Sequence, residues 1–486
     1  MRRKDTRLPS SPGADSESRA AEKVDLVVKN AKVVTATETF ESDVGIENGK
    51  VSSLSKNIRS PGAKVWDAHG MIVVPGGIDA HTHMELPVMG TTSADDFYSG
   101  TVAASCGGIT TIVDFVDTQP GQTMLEGLAD YRSRADRKTV IDFGLHMMFK
   151  GQNLREIEEI PEVVRRGVPS FKVYTAYKGR GLMLDDEAIS RVMRKVAGAG
   201  GLTAVHAESE ELIQRLIREN VAAGHTGPVY HALSRPPEAE AEAISRVTRL
   251  AKASKAPLYI VHLSSRAGKV EVEKARSNGT DVFAETCPHY LVLTDEVYRR
   301  KDGRNFVMSP ALKKAQDRTA LWEGLKRGGV IETVGSDHCP FTKAEKDWGK
   351  DDFTRIPNGV PGTEVIIPIL YSEGVRKGRI TIFDMVRVTS DSPARRFGLR
   401  PSKGSIEVGS DADLVVIDPN KRVRLTADVL HTRIDYSIYD EVRTQGYPVL
   451  TVSRGEIVME DGEFVGKKGR GRFVPRTPVR RTPEKR

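Results

Sequence analysis

Eight short apolar runs through the middle of the chain, separated by stretches of helical periodicity, constrain the fold more than any other feature. They are MIVVPGGIDAHTH (71–83), ITTIVDFV (109–116), IDFGLHMMF (141–149), SFKVYTAY (170–177), LTAVHAE (202–208), PLYIVHLSS (257–265), DVFAETC (281–287) and IETVGSD (331–337). Between most of them lie amphipathic segments such as TMLEGLADYRSRADR, DDEAISRVMRKVAG and EAEAEAISRVTRLAKAS. Eight strand–helix repeats predict an α/β fold, a (β/α)8 TIM-like barrel. An open doubly wound sheet is the structural alternative. The chain's 486 residues leave room for a barrel of roughly 250 residues or more plus a smaller domain.

Both ends have strand composition. DLVVKNAKVVT (25–35) and DVGIENGKVSSL (43–54) contain Lys-Asn-Ala and Asn-Gly turn signals; DADLVVIDP (411–419) and VLTVSRGEIVMEDGEFVG (449–466) contain an Asp-Gly turn. Neither end is long enough for an independent sandwich, so together they predict one small β-sandwich domain built from both termini. The expected organisation is a disordered leader over 1–24, the N-terminal portion of the β-sandwich over 25–73, the barrel over 74–400, the C-terminal portion of the β-sandwich over 401–466 and a basic tail over 467–486. The first 23 residues begin with positive charge but have no apolar core segment, so they are no signal peptide. No apolar run approaches the roughly 18 residues of a transmembrane helix.

The net charge of +7 would fit a nucleic-acid binder, but its location argues otherwise. The last 20 residues hold nine Lys or Arg and one Glu, so the rest of the chain is close to neutral. A basic, Pro-containing tail without an aromatic-rich basic face reads as a solvated or oligomer-contacting segment, with no nucleic-acid or membrane partner expected. The cysteines are three, Cys106, Cys287 and Cys339. An odd, widely spaced set argues against a disulfide framework and for a reducing cytoplasm.

A barrel builds its active site at the C-terminal ends of its strands. The first run ends in His81 and His83, which face one side of an extended chain. The fourth carries Lys172, the fifth His206, the sixth His262 and the eighth Asp337. Taken singly, each has a plain reading: a satisfied core histidine, a snorkelling lysine, a helix N-cap. Six ligand-type residues gathered at one rim predict a metal centre instead, and four histidines, a lysine and an aspartate suit two ions better than one. An ammonium has no lone pair to offer. Desolvation beside two cations lowers its pKa, and the neutral amine can take up carbon dioxide to form a carbamate long enough to bridge both ions. Imidazole and carboxylate ligands favour zinc, with manganese, cobalt or iron as alternatives.

The ordered set GGIDAHTH, SFKVYTAYKG, VHAE, YHALSRPP, VHLSS, ETCPHYL, MSPALK, SDHCPF and IPNGVPG resembles the dihydropyrimidinase–hydantoinase family of cyclic amidohydrolases over roughly residues 25–470. The resemblance implies that His81 and His83 bind the more buried metal and His206 and His262 the more exposed one. An N6-carboxylysine at Lys172 bridges them. Asp337 ligates the buried metal and serves as acid–base residue, and Tyr177 donates a hydrogen bond to the substrate carbonyl. Ser309 and Asn358 match positions that hold the cyclic amide or imide, chiefly through backbone groups. It further implies a homotetramer whose C-terminal tail packs on a neighbouring subunit.

The implied reaction is hydrolytic. A hydroxide shared by the metals, its pKa lowered to about 7, attacks a ring carbonyl, Asp337 passes its proton to the leaving nitrogen, and the ring of a 5,6-dihydropyrimidine or 5-substituted hydantoin opens to an N-carbamoyl amino acid. Many hydantoinases carry Met and Phe just after the His-x-His; this chain has Leu86 and Val88, followed by Met89, which leaves pocket size and stereochemical preference open. An allantoinase-like cyclic ureide hydrolase and a non-enzymatic scaffold like the collapsin response mediator proteins are the alternatives. The scaffolds lack metal ligands that this chain retains.

Overall fold

The computed structural model describes residues 24–478. The expected leader falls outside that span except for its last position, and so does the end of the basic tail. All eight apolar runs contain strands: β1 (Gly77–Thr82), β2 (Ile109–Val116), β3 (Asp142–Met148), β4 (Ser170–Tyr174), β5 (Leu202–His206), β6 (Leu258–Ile260), β7 (Val282–Thr286) and β8 (Ile331–Val334). They form one parallel sheet in sequence order. The sheet closes on itself. Thr82 forms a parallel bridge with His338 just beyond β8, and His83 N donates to His338 O at 2.9 Å. Asp79 fastens the same seam by accepting from Ser336 N at 2.9 Å and Ser336 Oγ at 2.5 Å. Closure excludes the open doubly wound alternative.

The helices follow their sequence signals. Met124–Asp136 starts at a capping box between Thr123 and Glu126, and Asp186–Gly198 is N-capped by Asp185. The second helix buries Ala188, Ile189, Val192, Met193 and Val196, the spacing of one helical face. Each of its larger aliphatic side chains contributes about 1.5–3 kcal/mol by burial. Inside, Ala80, Val113, Ala204, Tyr259 and Phe283 from five strands meet Phe397, so the barrel is a packed core and not a pore.

The two ends of the chain meet in a second sheet of nine strands. Ile72–Pro75 from the N-terminal end pairs antiparallel with Leu414–Arg424 from the C-terminal end, Leu414 opposite Pro75. The strands form one continuous mixed sheet with its own core of Val28, Val33, Val44, Leu414, Val416 and Leu450. Asn48-Gly49 is a hairpin turn, both residues at positive φ. Lys-Asn-Ala is not a turn: Leu26–Val34 runs straight through it, with a bulge between Val28 and Ala31 and Asn30 at φ 54°. The buried Lys403 ammonium ties this sheet's end of the chain to the barrel, 2.6 Å from Asp142 and 2.8 Å from Asp413.

The described portion of the basic tail lies on its own barrel. Val474 N donates to Phe143 O at 2.8 Å, and the buried Arg476 guanidinium donates to Ser170 Oγ at 2.7 Å. Among the described residues no helix is long and apolar enough to cross a membrane.

Candidate metal centre

His81 and His83 lie with ring centroids 5.2 Å apart, and both turn Nε2 toward Asp337 Oδ1, at 3.1 and 3.3 Å. Asp337 is three residues past the end of β8, in the left-handed region at φ 50°, a costly conformation for a non-glycine residue. Burial raises its pKa, but the charge of His81 and hydrogen bonds from both histidines prevail and hold the carboxyl well below the usual range. On the far side of His81, Nδ1 is 2.6 Å from Glu285 Oε1, and Glu285 also accepts from the Tyr259 hydroxyl. Desolvation and the Lys172 charge push His81 down, the carboxylates of Glu285 and Asp337 push it up, and the upward pull wins. Desolvation instead pushes the buried His83 down to about 3.

Lys172 points into the same space, Nζ 2.9 Å from His81 Nε2 and 4.3 Å from the centre of the Phe115 ring. Burial pushes its ammonium down to about 8. Across from it, His206 Nδ1 and His262 Nε2 stand 2.9 Å apart. Desolvation depresses both rings, so two neutral imidazoles face each other. His262 sits beyond the end of β6 with φ 40°, not within the strand. Glu208 holds His206 Nε2 at 2.8 Å and is itself held by Arg235 at 2.8 Å.

These residues fit a cation site. His81, His83 and Asp337 bring their ligand atoms within 4.8 Å of one another. A carboxylate behind the ring, as Glu285 is behind His81 and Glu208 behind His206, fixes tautomer and raises ligand basicity.

Beside the ligands is a cavity of about 100 Å³. Tyr177, Ser309, Asn358, Leu86 and Val88 all line it. Tyr177 adopts φ 68°. Glu210 braces that turn by accepting from Tyr177 N at 2.8 Å and Lys178 N at 3.3 Å. Burial pushes the Tyr177 hydroxyl up to about 12, so it remains a donor. Ser309 faces the Tyr177 hydroxyl, and the buried Asn358 Oδ1 has no hydrogen-bond partner among the described residues. Leu86 and Val88 pack with Phe115, Met148, Leu182 and Cys339. Cys339 is buried and unpaired, as a packing residue should be, and burial pushes its thiol up.

Several neighbours escaped the sequence reading. Glu285 carried a signal, a carboxylate inside an otherwise apolar barrel strand. Arg235 carried none, since it acts on Glu208 from 27 residues away. His338 does not join the ligands; its Nε2 is 3.0 Å from Asp95. His231 Nε2 donates to Met308 O at 2.8 Å and so orients a loop of the cavity. A second cluster, Cys106, Glu364 and His431, has both Glu364 oxygens engaged by His431 at 2.7 Å. A larger open groove on the terminal sheet, lined by Asn30, Asp43 and His69 among others, holds no such convergence of ligands.

A closed parallel barrel that gathers imidazole and carboxylate side chains at its C-terminal rim has the donor set of a metal-dependent hydrolase. The chain matches the amidohydrolase family over residues 72–458. It is 42% identical over 455 residues to the D-hydantoinase of Geobacillus stearothermophilus, spanning 93% of this chain and 96% of that one. It is 43% identical over 458 residues to the D-phenylhydantoinase of Escherichia coli (strain K12), spanning 93% and 98%. The crystal structure of the dihydropyrimidinase from Brevibacillus agri superposes with a TM-score of 0.91 at 41% identity, covering 94% of this chain and 99% of that one. The chain therefore belongs to the amidohydrolase family, and within it to the hydantoinase–dihydropyrimidinase branch. It is a hydrolase of cyclic amide bonds.

Proposed function

We propose that the chain opens 5,6-dihydropyrimidine or 5-substituted hydantoin rings, adding water across a ring C–N bond to give an N-carbamoyl amino acid. The observation that carries this reading is the joining of two sets: His81, His83 and Asp337 around one point, and the facing pair His206 and His262 beside it, both next to a small cavity. His81, His83 and Asp337 would hold one divalent ion and His206 and His262 the other, zinc by ligand type. Lys172, carboxylated on Nζ to N6-carboxylysine, would join them. When bound, the ions supply the nucleophilic hydroxide and polarise the ring carbonyl.

The remaining work belongs to the protein. Asp337, held ionised, accepts the proton of the nucleophile and returns it to the leaving ring nitrogen. Tyr177, held protonated, donates to the oxygen that gains charge. The segments of Ser309 and Asn358 hold the ring, and Leu86 and Val88 meet its substituent. Three buried, unpaired cysteines support a reducing, cytoplasmic setting. The family resemblance supports a homotetramer, which light scattering would test.

The test is ring opening of dihydrouracil and of D- and L-5-phenylhydantoin, side by side, with zinc and bicarbonate supplied. Fast opening of dihydrouracil supports the dihydropyrimidinase reading, and preference for one phenylhydantoin supports a hydantoinase. No opening of any ring by metal-loaded protein overturns the proposal.

A further inference from the structure

Lys346 is buried completely, and its ammonium makes no ion pair among the described residues. Its Nζ donates to Val307 O at 2.8 Å, Pro357 O at 2.7 Å and Gly359 O at 2.7 Å. An ammonium has three N–H donors, so every one of them is committed to backbone carbonyls. Those carbonyls belong to two segments far apart in sequence. The first leads into Ser309, and the second brackets Asn358; both residues line the cavity.

A buried cation without a counter-ion is expensive, and burial pushes this one down to about 7. An unbranched apolar side chain of similar length would fill the same space at lower cost. What it could not do is bind three carbonyls at once. Gly359 N also donates to Val307 O at 3.1 Å, so the two segments are bonded directly at a carbonyl that the lysine also binds. Lys346 ends the short helix Lys343–Lys346, N-capped by Thr342, and Glu345, which completes its capping box, accepts from Thr91 Oγ1. Thr91 pairs with Val88 in a small hairpin, so the same helix reaches a third wall of the cavity.

We propose that Lys346 is a positioning residue for substrate: its three hydrogen bonds set the spacing of the segments that carry Ser309 and Asn358, and so the grip of those segments on the cyclic amide. This rests on the reading that those segments hold the ring. Lys346 donates to none of the candidate metal ligands, so the lysine acts on binding more than on chemistry.

The test compares the metal-loaded full chain with Lys346→Met, by steady-state kinetics on the ring that the wild type opens fastest and by amide hydrogen exchange. The expected result is a KM raised about tenfold or more with kcat within about threefold, unchanged metal content, and faster exchange confined to residues 305–311 and 355–361. An unchanged KM, a fall in kcat alone, or faster exchange throughout the barrel overturns the proposal. Should Lys346→Met fail to fold, Lys346→Gln keeps two donors, and the same pattern at smaller amplitude is required of it. Exchange does not depend on turnover. A wild type that opens no ring defeats the functional reading, whereas unaltered exchange in the two segments defeats the lysine's role.

Discussion

His206 Nδ1 and His262 Nε2 face each other across 2.9 Å, and the opposite nitrogen of His206 is pinned by Glu208 at 2.8 Å. The carboxylate therefore decides which nitrogen of His206 is free to bind. Glu208→Gln keeps the shape but removes the charge. It should lower affinity for the second metal about 10–100-fold, read as metal bound per chain after dialysis against a competing chelator. Two ions retained as tightly as in the wild type would refute this.

Glu208 also links the site to acid stability. Burial raises its pKa, yet the Arg235 guanidinium and the hydrogen bond to His206 hold it well below the usual carboxylate range. A depressed folded pKa contributes stability above the unfolded value of about 4.3 and loses it as pH falls toward the folded one. The difference in Tm between wild type and Glu208→Gln, both metal-free, should shrink from about pH 6 to about pH 3. A constant difference would mean that the pairing carries no net charge effect.

Lys172 reacts with carbon dioxide only as a neutral amine, and burial sets its pKa at about 8. At matched dissolved carbon dioxide, reconstitution of metal-free protein with zinc should therefore be faster at about pH 8.5 than at about pH 6.5. Lys172→Ala should fall to background activity, with partial recovery in short-chain carboxylic acids that replace the missing bridge. A rate of reconstitution indifferent to pH would count against carboxylation.

Tyr177→Phe removes a single donor. If that hydroxyl stabilises charge that develops on the carbonyl oxygen, kcat should fall about 10²–10³-fold with little change in KM. A rise in KM alone would assign Tyr177 to ground-state binding.

Leu86 packs in the apolar cluster at the cavity with Val88, Met148 and Leu182. Leu86→Ala makes room on the side expected to receive a ring substituent. The ratio of kcat/KM for 5-phenylhydantoin over dihydrouracil should rise, and an unchanged ratio would move the substituent to another wall.

Much of this was legible in the chain because periodicity reports burial. Eight apolar runs with helical spacers are what a barrel requires, and the His-x-His at the end of the first run pointed to the rim where His81, His83 and Asp337 converge. The residues that escaped act at right angles to the sequence. Glu285 looked like one polar residue in a strand, and its meaning appears only when His81 arrives beside it. Arg235 and Lys346 bind groups far along the chain or bare carbonyls, for which no side-chain pattern exists. His262 and Asp337 were assigned to strands, yet both lie past the strand ends at positive φ, where a kink aims the side chain and alternation no longer applies. Lys-Asn-Ala signalled a turn and produced a bulge, because a left-handed Asn serves either purpose.

The seam between β1 and β8 is where the hoop is buckled. Its two sides come from the beginning and the end of the barrel sequence, with Ser336 bonded to His81 across 255 residues. His81 and His83 stand on one side of the buckle and Asp337 on the other. A cation held by all three would be a pin added to it: chelation should loosen the hoop at this one joint first, while the hydrogen bonds of Asp79, Ser336 and His338 keep it closed.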